Sequence, residues 1–358
     1  MRRRKHLVGS CGGSKSIIGL AGLCWTLSRL LGWQAVDWAS IGGSSGATII
    51  QTIICGSGLS AAEVVHLTLT TDFSDYVVCP EASWWQRFRA RLRHEGAEAI
   101  RPWPTEAPMN SEPLGAFIDA HVRGPWPKGL WMLAADHEGL PVVFSELGVR
   151  RWKTDGSLEV LSSTPPPTGI AVRAAISIPL LIAPPQVPVD TGRLPMWDGA
   201  FTVKDSLFGL CPVEVPMNYM DASADDMVAF DVSEEPSQRG LKGRLRYLLR
   251  HYWWGIDDPP WPTKAQETMR ICPRMPFSAL DLRLSRDDKW QMIALSIAVT
   301  TRACLQHNLV PSEEQATATR LLEAISPFSK AELSGNRHSG FINDLRLTLN
   351  TFGFALSL

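Results

Sequence analysis

The sequence has little net charge, and its cysteines and histidines do not form metal-binding patterns. Its 35 lysines and arginines nearly balance its 36 aspartates and glutamates, giving a formal net charge of −1. Such a balance gives no global electrostatic reason to expect a nucleic-acid partner. The seven cysteines include no C-x-x-C pair, and no histidine lies at metal-ligand spacing from them. We therefore expect no structural zinc site, no metal or other cofactor, and a reducing compartment.

Long apolar segments are also missing. The stretch after Ile17 is interrupted by Thr26, Ser28 and Arg29, so it is not expected to span a bilayer. Only two strongly apolar residues lie between the basic MRRRKH segment and Cys11, too few for the apolar region of a signal peptide. These absences predict a cytoplasmic protein with neither a cleaved signal nor a transmembrane helix, whose contact with a membrane would be peripheral.

A glycine-rich loop between an apolar strand and an apolar helix is present near the N-terminus, within HLVGSCGGSKSIIGLAGL at residues 6–23. Backbone N–H groups at such a helix N-terminus bind anions. One candidate anion is a nucleotide phosphate. Gly9 to Ser16 is one glycine short of the phosphate-loop pattern, with Ser14 at the missing position, and Asp136 ends a strand that would supply the magnesium ligand. The other candidate is the oxyanion that forms when an ester carbonyl is attacked.

A second glycine-rich turn favours the oxyanion. Residues 35–62 predict a strand, a GGSSG turn and then an apolar helix. Gly42, Ser44 and Gly46 match the G-x-S-x-G nucleophile elbow, in which small flanking residues avoid collisions across a strained turn. Two successive strand–loop–helix units place both loops at the same edge of a parallel sheet. A serine on the second loop would then face an oxyanion site on the first.

Three serine-hydrolase arrangements contain such an elbow. The α/β-hydrolases place several strands before it, whereas only 41 residues precede Gly42. The malonyl-type acyl transferases have histidine at the position that Gly43 occupies here. The third arrangement pairs the serine with an aspartate and uses no histidine.

Residues 6–233 resemble the patatin-like phospholipases, which use this third arrangement. The resemblance lies in segments that follow the family's order: CGGSKS at 11–16, GGSSGA at 42–47, LWMLAADHEGLPVVFS at 130–145, VRAAISIPLLIAPPQV at 172–187, PMWDGAF at 195–201 and DDMVAFDVSE at 225–234. Two segments depart from the family. Cys11 and Ser16 stand where glycine is usual, and TVKDSLFG at 202–209 replaces the usual Asn-x-Pro.

The resemblance implies roles for individual residues. Ser44 would be the nucleophile, and Asp198, in the D-G-A sequence, would be its general base; at its ordinary pKa of about 3.9 the carboxylate would be a weak one. The oxyanion would be bound by the backbone N–H groups of three residues, Gly12, Gly13 and Ser14. Lys15, at a position that is usually basic in the family, would bind a phosphate or support the loop.

The resemblance also implies an α/β protein with a three-layer fold. We expect a mostly parallel central sheet within a patatin-like acyl hydrolase core at residues 6–235, with a Trp- and Pro-rich insert at about 70–125. Residues 236–358 would form a helical C-terminal extension packed on this core. In that extension, Ser312 and Gln315 match a capping box at a helix start, and Pro327 predicts the end of the helix.

The predicted function is a lipid acyl hydrolase of the phospholipase A or lysophospholipase type, acting on phospholipid or lysophospholipid. Two basic amphipathic segments, residues 83–94 and 241–254, suit contact with anionic headgroups. The alternative is a catalytically weak or inactive lipid-surface binding protein that retained the fold, because two loop glycines and the Asn-x-Pro segment are replaced.

Overall fold

The computed structural model describes residues 5–77, 105, 107–153, 155–179, 181–204, 207–208, 212–232, 267–273, 283–330 and 340–354. The strands are β1 (His6–Gly9), β2 (Ser40–Ser44), β3 (Leu130–Ala135), β4 (Pro141–Ser145), β5 (Gly148–Trp152), β6 (Leu158–Ser162), β7 (Gln186–Val189), β8 (Gly192–Pro195), β9 (Trp197–Asp198), β10 (Val203–Lys204), β11 (Leu207–Phe208), β12 (Met227–Phe230) and β13 (Met269–Ile271). The α-helices are α1 (Gly13–Leu31), α2 (Ala47–Gly56), α3 (Ala61–Thr70), α4 (Glu112–His121), α5 (Thr168–Ile176), α6 (Glu214–Tyr219), α7 (Arg286–Gln306), α8 (Gln315–Lys330) and α9 (Phe341–Asn350). The two basic segments at 83–94 and 241–254 lie outside the described residues, as does most of the predicted insert.

A mixed sheet of nine strands, counted over the described residues, forms the centre of the fold. Strands β13, β12, β1, β2 and β3 are neighbours in that order and run parallel. Strands β4, β5 and β6 continue the sheet from β3 in antiparallel pairs. Short turns join β3 to β4 and β4 to β5, and such turns permit only antiparallel pairing. The predicted α/β class is confirmed, with one refinement: the parallel pairing is confined to one half of the sheet.

Side chains of the central strands alternate between two cores, one on each face of the sheet. Leu7 and Ile41 lie in the larger core, which includes residues of α1 and α2. Val8 follows Leu7 in β1, and Trp131 of β3 pairs with Gly42, the residue after Ile41. Both Val8 and Trp131 lie in a second core together with Val215 of α6. Helical segments therefore pack on both faces of the sheet, which is the layered arrangement that the sequence predicted.

The C-terminal helices contact the first helix of the core. Ser296 of α7 donates a hydrogen bond to the carbonyl of Gly19 in α1 at 2.6 Å. A Cβ at Gly22 would lie 3.0 Å from the Ser296 Cβ, so glycine permits this close helix packing. No helix in the described part of the chain is both long and apolar enough to span a bilayer.

The predicted end of α8 was wrong. The helix continues through Pro327 to Lys330, although proline removes one helical hydrogen bond at a cost of about 3 kcal/mol. Tertiary packing offsets this cost. Ile325 is fully buried, and the Phe328 ring packs edge-on against Phe341 with 5.6 Å between centroids.

Candidate active site

Ser44 is the last residue of β2 and lies at the carboxyl edge of the parallel strands, where the chain turns into α2. Close backbone approach requires the glycines on both sides of it. A Cβ at Gly42 would lie 2.2 Å from the Trp131 ring, and a Cβ at Gly46 would lie 2.2 Å from the carbonyl oxygen of Gly13. The elbow thus packs directly against the glycine-rich loop at residues 11–16.

The sheet register brings Asp198 to Ser44. Ser44 pairs with Leu133 of β3, and Asp198 of β9 pairs with the next residue, Ala134. Because β4 occupies the other edge of β3, β9 continues along the edge where β2 ends. The Ser44 hydroxyl donates to Asp198 Oδ1 at 3.2 Å, across 154 positions of the sequence. The structure therefore brings together the two residues that the sequence predicted as nucleophile and base.

Asp198 is a stronger base than its ordinary pKa implies. The residue is 1% exposed, and burial raises its pKa from 3.8 to about 6, because desolvation disfavours the charged carboxylate. Hydrogen bonds from the Ala200 N–H (2.9 Å) and the Ser44 hydroxyl (3.2 Å), together with the nearby Ser45 hydroxyl, partly oppose this rise. The expectation of a pKa near 3.9 was therefore wrong, since the sequence alone does not contain the degree of burial.

The C-terminal end of α5 and the residue that follows it contact both the elbow and Asp198. The Ala175 carbonyl accepts a hydrogen bond from the Ser45 N–H at 3.0 Å, and the Ser177 carbonyl accepts one from the Asp198 N–H at 2.9 Å. The Ser177 hydroxyl donates in turn to the Arg173 carbonyl at 2.7 Å, which fixes the segment to its own helix. The Ser45 N–H is therefore already engaged and is not available as an oxyanion donor.

The glycine-rich loop is placed to supply such donors. Gly13 begins α1 with a φ of 50°, a left-handed conformation that favours glycine. The first N–H groups of a helix have no carbonyl partner within it. No backbone hydrogen bond from the N–H of Gly12 or Gly13 occurs among the described residues. Ser14, the third predicted donor, is the next residue of the same helical turn and is buried.

The structure explains one of the two glycine replacements in the loop, that at Ser16. The Ser16 hydroxyl donates to the Ser10 carbonyl at 3.0 Å, so it closes the loop with a hydrogen bond that glycine could not make. Cys11 is partly exposed. Lys15 is only 1% exposed, which favours the loop-supporting role over contact with a substrate phosphate.

An ion pair beside the loop, between the buried Asp231 and the exposed Arg270, was not found from the sequence. Asp231 directly follows β12, whose last residue Phe230 pairs with Gly9. Its Oδ1 accepts from the Ser10 hydroxyl at 3.2 Å, and its Oδ2 accepts from Arg270 Nε at 2.7 Å. The Ser10 hydroxyl also accepts from the Val232 N–H at 3.2 Å. These contacts fix Ser10, the residue that precedes the glycine-rich loop. The sequence feature that could have indicated them is a carboxylate directly after a strand that pairs in parallel with β1.

No protein-family model matches the chain, and no curated protein sequence does either. Several solved structures are similar in fold at low identity. VipD from Legionella pneumophila is 10% identical, with 99% of this chain and 81% of that chain covered and a TM-score of 0.38. The type III effector protein ExoU is 13% identical, with 99% and 70% covered and a TM-score of 0.36. Human GIVD cytosolic phospholipase A2 in complex with a fluorophosphonate inhibitor is 12% identical, with 91% and 60% covered and a TM-score of 0.40.

Proposed function

We propose that this protein is a serine acyl hydrolase that cleaves carboxylic esters of phospholipids or lysophospholipids through an acyl-enzyme. The observation that carries the proposal is the buried contact between Ser44 Oγ and Asp198 Oδ1 at 3.2 Å. A serine hydroxyl beside a carboxylate of raised pKa, at the carboxyl edge of a parallel sheet, is the arrangement that nucleophilic acyl transfer requires. The patatin-like motifs of the sequence supply the lipid substrate class.

In the first half of the reaction, Ser44 Oγ attacks the ester carbonyl while its proton passes to Asp198. The tetrahedral oxyanion collapses, and the leaving alcohol takes the proton from Asp198. In the second half, water attacks the acyl-enzyme with Asp198 again as base. The fatty acid is released, and the proton passes from Asp198 to Ser44 Oγ. A base with a pKa of about 6 is deprotonated at neutral pH and takes a proton more readily than an ordinary aspartate.

The oxyanion would be stabilised by the backbone N–H groups of Gly12, Gly13 and Ser14. Two observations support this assignment: Gly13 lies against Gly46 of the elbow, and the Ser45 N–H is committed to Ala175. Removing one oxyanion-hole donor costs about 10²–10³-fold in kcat in serine hydrolases. The loop therefore contributes to catalysis on the same scale as the acid–base pair.

The wider organisation is part of the same proposal. Residues 6–235 would form the acyl hydrolase core, and residues 236–358 a helical extension packed on it. The protein would act in the cytoplasm and meet its substrate by peripheral contact with a membrane, without a nucleic-acid partner. The hydrogen bond between Ser296 and Gly19 supports the packing of the extension on the core.

The test combines covalent labelling with product analysis. Purified protein is treated with an alkyl fluorophosphonate, and its activity is measured on a panel of phospholipids and lysophospholipids by mass spectrometry of the released fatty acids. We expect stoichiometric labelling and fatty-acid release, both lost in Asp198→Asn. A protein that binds vesicles but is neither labelled nor active would instead support the lipid-binding alternative, which the complete burial of Ser44 favours.

A further inference from the structure

The turn between β2 and α2 contains two adjacent serines with different backbone conformations. Ser44 belongs to the extended strand, whereas Ser45 has a φ of 56°. A non-glycine residue in this left-handed region is strained and persists only where the surroundings enforce it. In a nucleophile elbow, the strained residue at the strand-to-helix turn is the one whose hydroxyl reacts. The backbone conformation therefore indicates Ser45 as the reactive serine, although the G-x-S-x-G motif indicates Ser44.

The sequence GGSSGA is compatible with either Ser44 or Ser45 as the nucleophile. Two residues before and after Ser45 are Gly43 and Ala47, which are also small. A Cβ at Gly43 would lie 2.2 Å from the carbonyl oxygen of Gly9. A Cβ at Gly9 would lie 2.6 Å from the Ala47 Cβ, so glycine at position 9 leaves space for the side chain at position 47. The residues two before and two after Ser45 thus meet the same steric requirement as those that flank Ser44.

Ser45 also lies beside the base. Its neighbour Ser44 contacts the Asp198 carboxylate at 3.2 Å, and the Ser45 hydroxyl, like the Ser44 hydroxyl, lowers the pKa of that carboxylate. The Ser45 N–H is held by the Ala175 carbonyl, and the Ser45 carbonyl accepts from the Thr48 hydroxyl at 2.7 Å. Both ends of the residue are therefore fixed. Ser45 is 8% exposed, whereas Ser44 is completely buried, so an incoming ester reaches Ser45 with less rearrangement.

We propose that Ser45 is a second nucleophile of this site and that it shares Asp198 with Ser44 as general base. The proposal rests on the acyl hydrolase function proposed above. A bond forms between Ser45 Oγ and the carbonyl carbon, and the hydroxyl proton passes to Asp198. Collapse of the oxyanion breaks the bond to the leaving alcohol, which takes that proton. Water then cleaves the acyl–Ser45 ester, with Asp198 accepting and returning a proton, and the fatty acid leaves.

The experiment locates the covalent adduct in serine variants. An alkyl fluorophosphonate forms a P–O bond to the reactive serine with loss of fluoride, and fragment-ion mass spectrometry identifies the modified residue. The variants are Ser44→Ala, Ser45→Ala, Ser44→Ala/Ser45→Ala and Ser44→Ala/Asp198→Asn. Ser40→Ala is the matched control, because Ser40 is a buried serine at the other end of the same strand. Melting temperatures establish that each variant folds, and Ser44→Gly replaces Ser44→Ala if the latter does not.

We expect Ser44→Ala to be modified at Ser45. Because a positioned general base contributes about 10²–10⁴-fold, its labelling rate should exceed that of the double serine variant by about 100-fold or more. Ser44→Ala/Asp198→Asn should fall to the level of the double serine variant, since both serines use one base. Ser40→Ala should label like the wild type.

Two results would overturn this proposal, and they are distinguishable. If Ser44→Ala folds but labels no faster than the double serine variant, while the wild type is modified at Ser44, Ser45 is not a nucleophile and the proposed function stands. If the wild type is modified at neither serine, the acyl hydrolase function fails together with the inference.

Discussion

Ser44 and Asp198 lie opposite consecutive residues of β3, Leu133 and Ala134, along one edge of that strand. The end of β2 and the two residues of β9 therefore meet end to end, and the hydroxyl lies 3.2 Å from the carboxylate without any long side chain to bridge the gap. A Cβ at Gly199 would lie 2.6 Å from the Ser44 Oγ, so the glycine that follows the aspartate is also required. Rigid strands, rather than loops, set the geometry of the pair.

Removing either member of the pair should remove most of the activity. We expect Ser44→Ala to lower fatty-acid release by about 10²-fold or more, and Asp198→Asn to lower it by about 10²–10⁴-fold. The Ser44→Ala/Asp198→Asn variant should be no worse than Asp198→Asn alone, because residues that act as a unit are not additive. Steady-state kinetics on a soluble short-chain ester measure these effects. Wild-type rates in Asp198→Asn would contradict the assignment of the base.

The activity should depend on pH with an acidic limb near 6. Burial raises the pKa of Asp198 to about 6, and only the deprotonated carboxylate accepts the serine proton. We therefore expect kcat/KM to rise from pH 5 to pH 7 with a midpoint of about 6. Measurements on a neutral, monomeric ester keep ionisation of the substrate out of the profile. A midpoint near 4 would show that the carboxylate is not desolvated in the free enzyme.

The same burial should make Asp198 a source of instability at neutral pH. The folded-state pKa of about 6 lies above the ordinary value of 3.8, so between these two pH values the folded state binds more protons than the unfolded state. The free energy of unfolding then falls as pH rises through this window, by about 3 kcal/mol in all. We expect the stability of Asp198→Asn relative to the wild type to increase by up to that amount from pH 4 to pH 7. Urea unfolding at several pH values measures it; a constant difference would contradict the raised pKa.

The ion pair beside the glycine-rich loop should affect the rate rather than substrate binding. Asp231→Asn weakens the contacts to Ser10 and Arg270, and a displacement of the loop by 1 Å can cost about 100-fold. We expect kcat to fall by up to that factor with KM little changed.

Asp226→Asn is the matched control for that prediction. Asp226 is equally buried and precedes the other end of β12, where it accepts hydrogen bonds from Ser223. The control should lower the melting temperature without lowering kcat. Equal kcat losses in both variants would indicate a general effect of destabilisation rather than positioning of the loop.

The glycine-rich loop should not bind nucleotides. Lys15, which a phosphate loop would direct at the phosphates, is 1% exposed, and the Gly13 carbonyl lies against Gly46. We therefore predict no binding of magnesium-ATP in isothermal titration calorimetry at protein concentrations of tens of micromolar. Micromolar affinity that requires magnesium and is lost in Lys15→Ala would instead support the phosphate-loop interpretation.

Local features of the site were predictable from the sequence because short-range sterics determine them. The glycines at 42 and 46 predicted a tight turn around Ser44, and the structure places backbone or ring atoms within 2.2 Å of the Cβ positions that those glycines lack. The succession of strand, glycine-rich turn and apolar helix likewise predicted the parallel pairing of β1 with β2. These properties depend on residues that are close together in the chain.

Properties that depend on distant residues were decided by the tertiary structure. The pKa of Asp198 depends on burial by elements from several parts of the chain, and the helix continues through Pro327 because Phe328 packs on Phe341. The support of the loop by Asp231 and Arg270 joins strands whose register the sequence does not specify. The sequence by itself determined which residue types stand at the turn; only the fold decided that Ser45 is the strained one, because backbone strain is imposed by the packing around it.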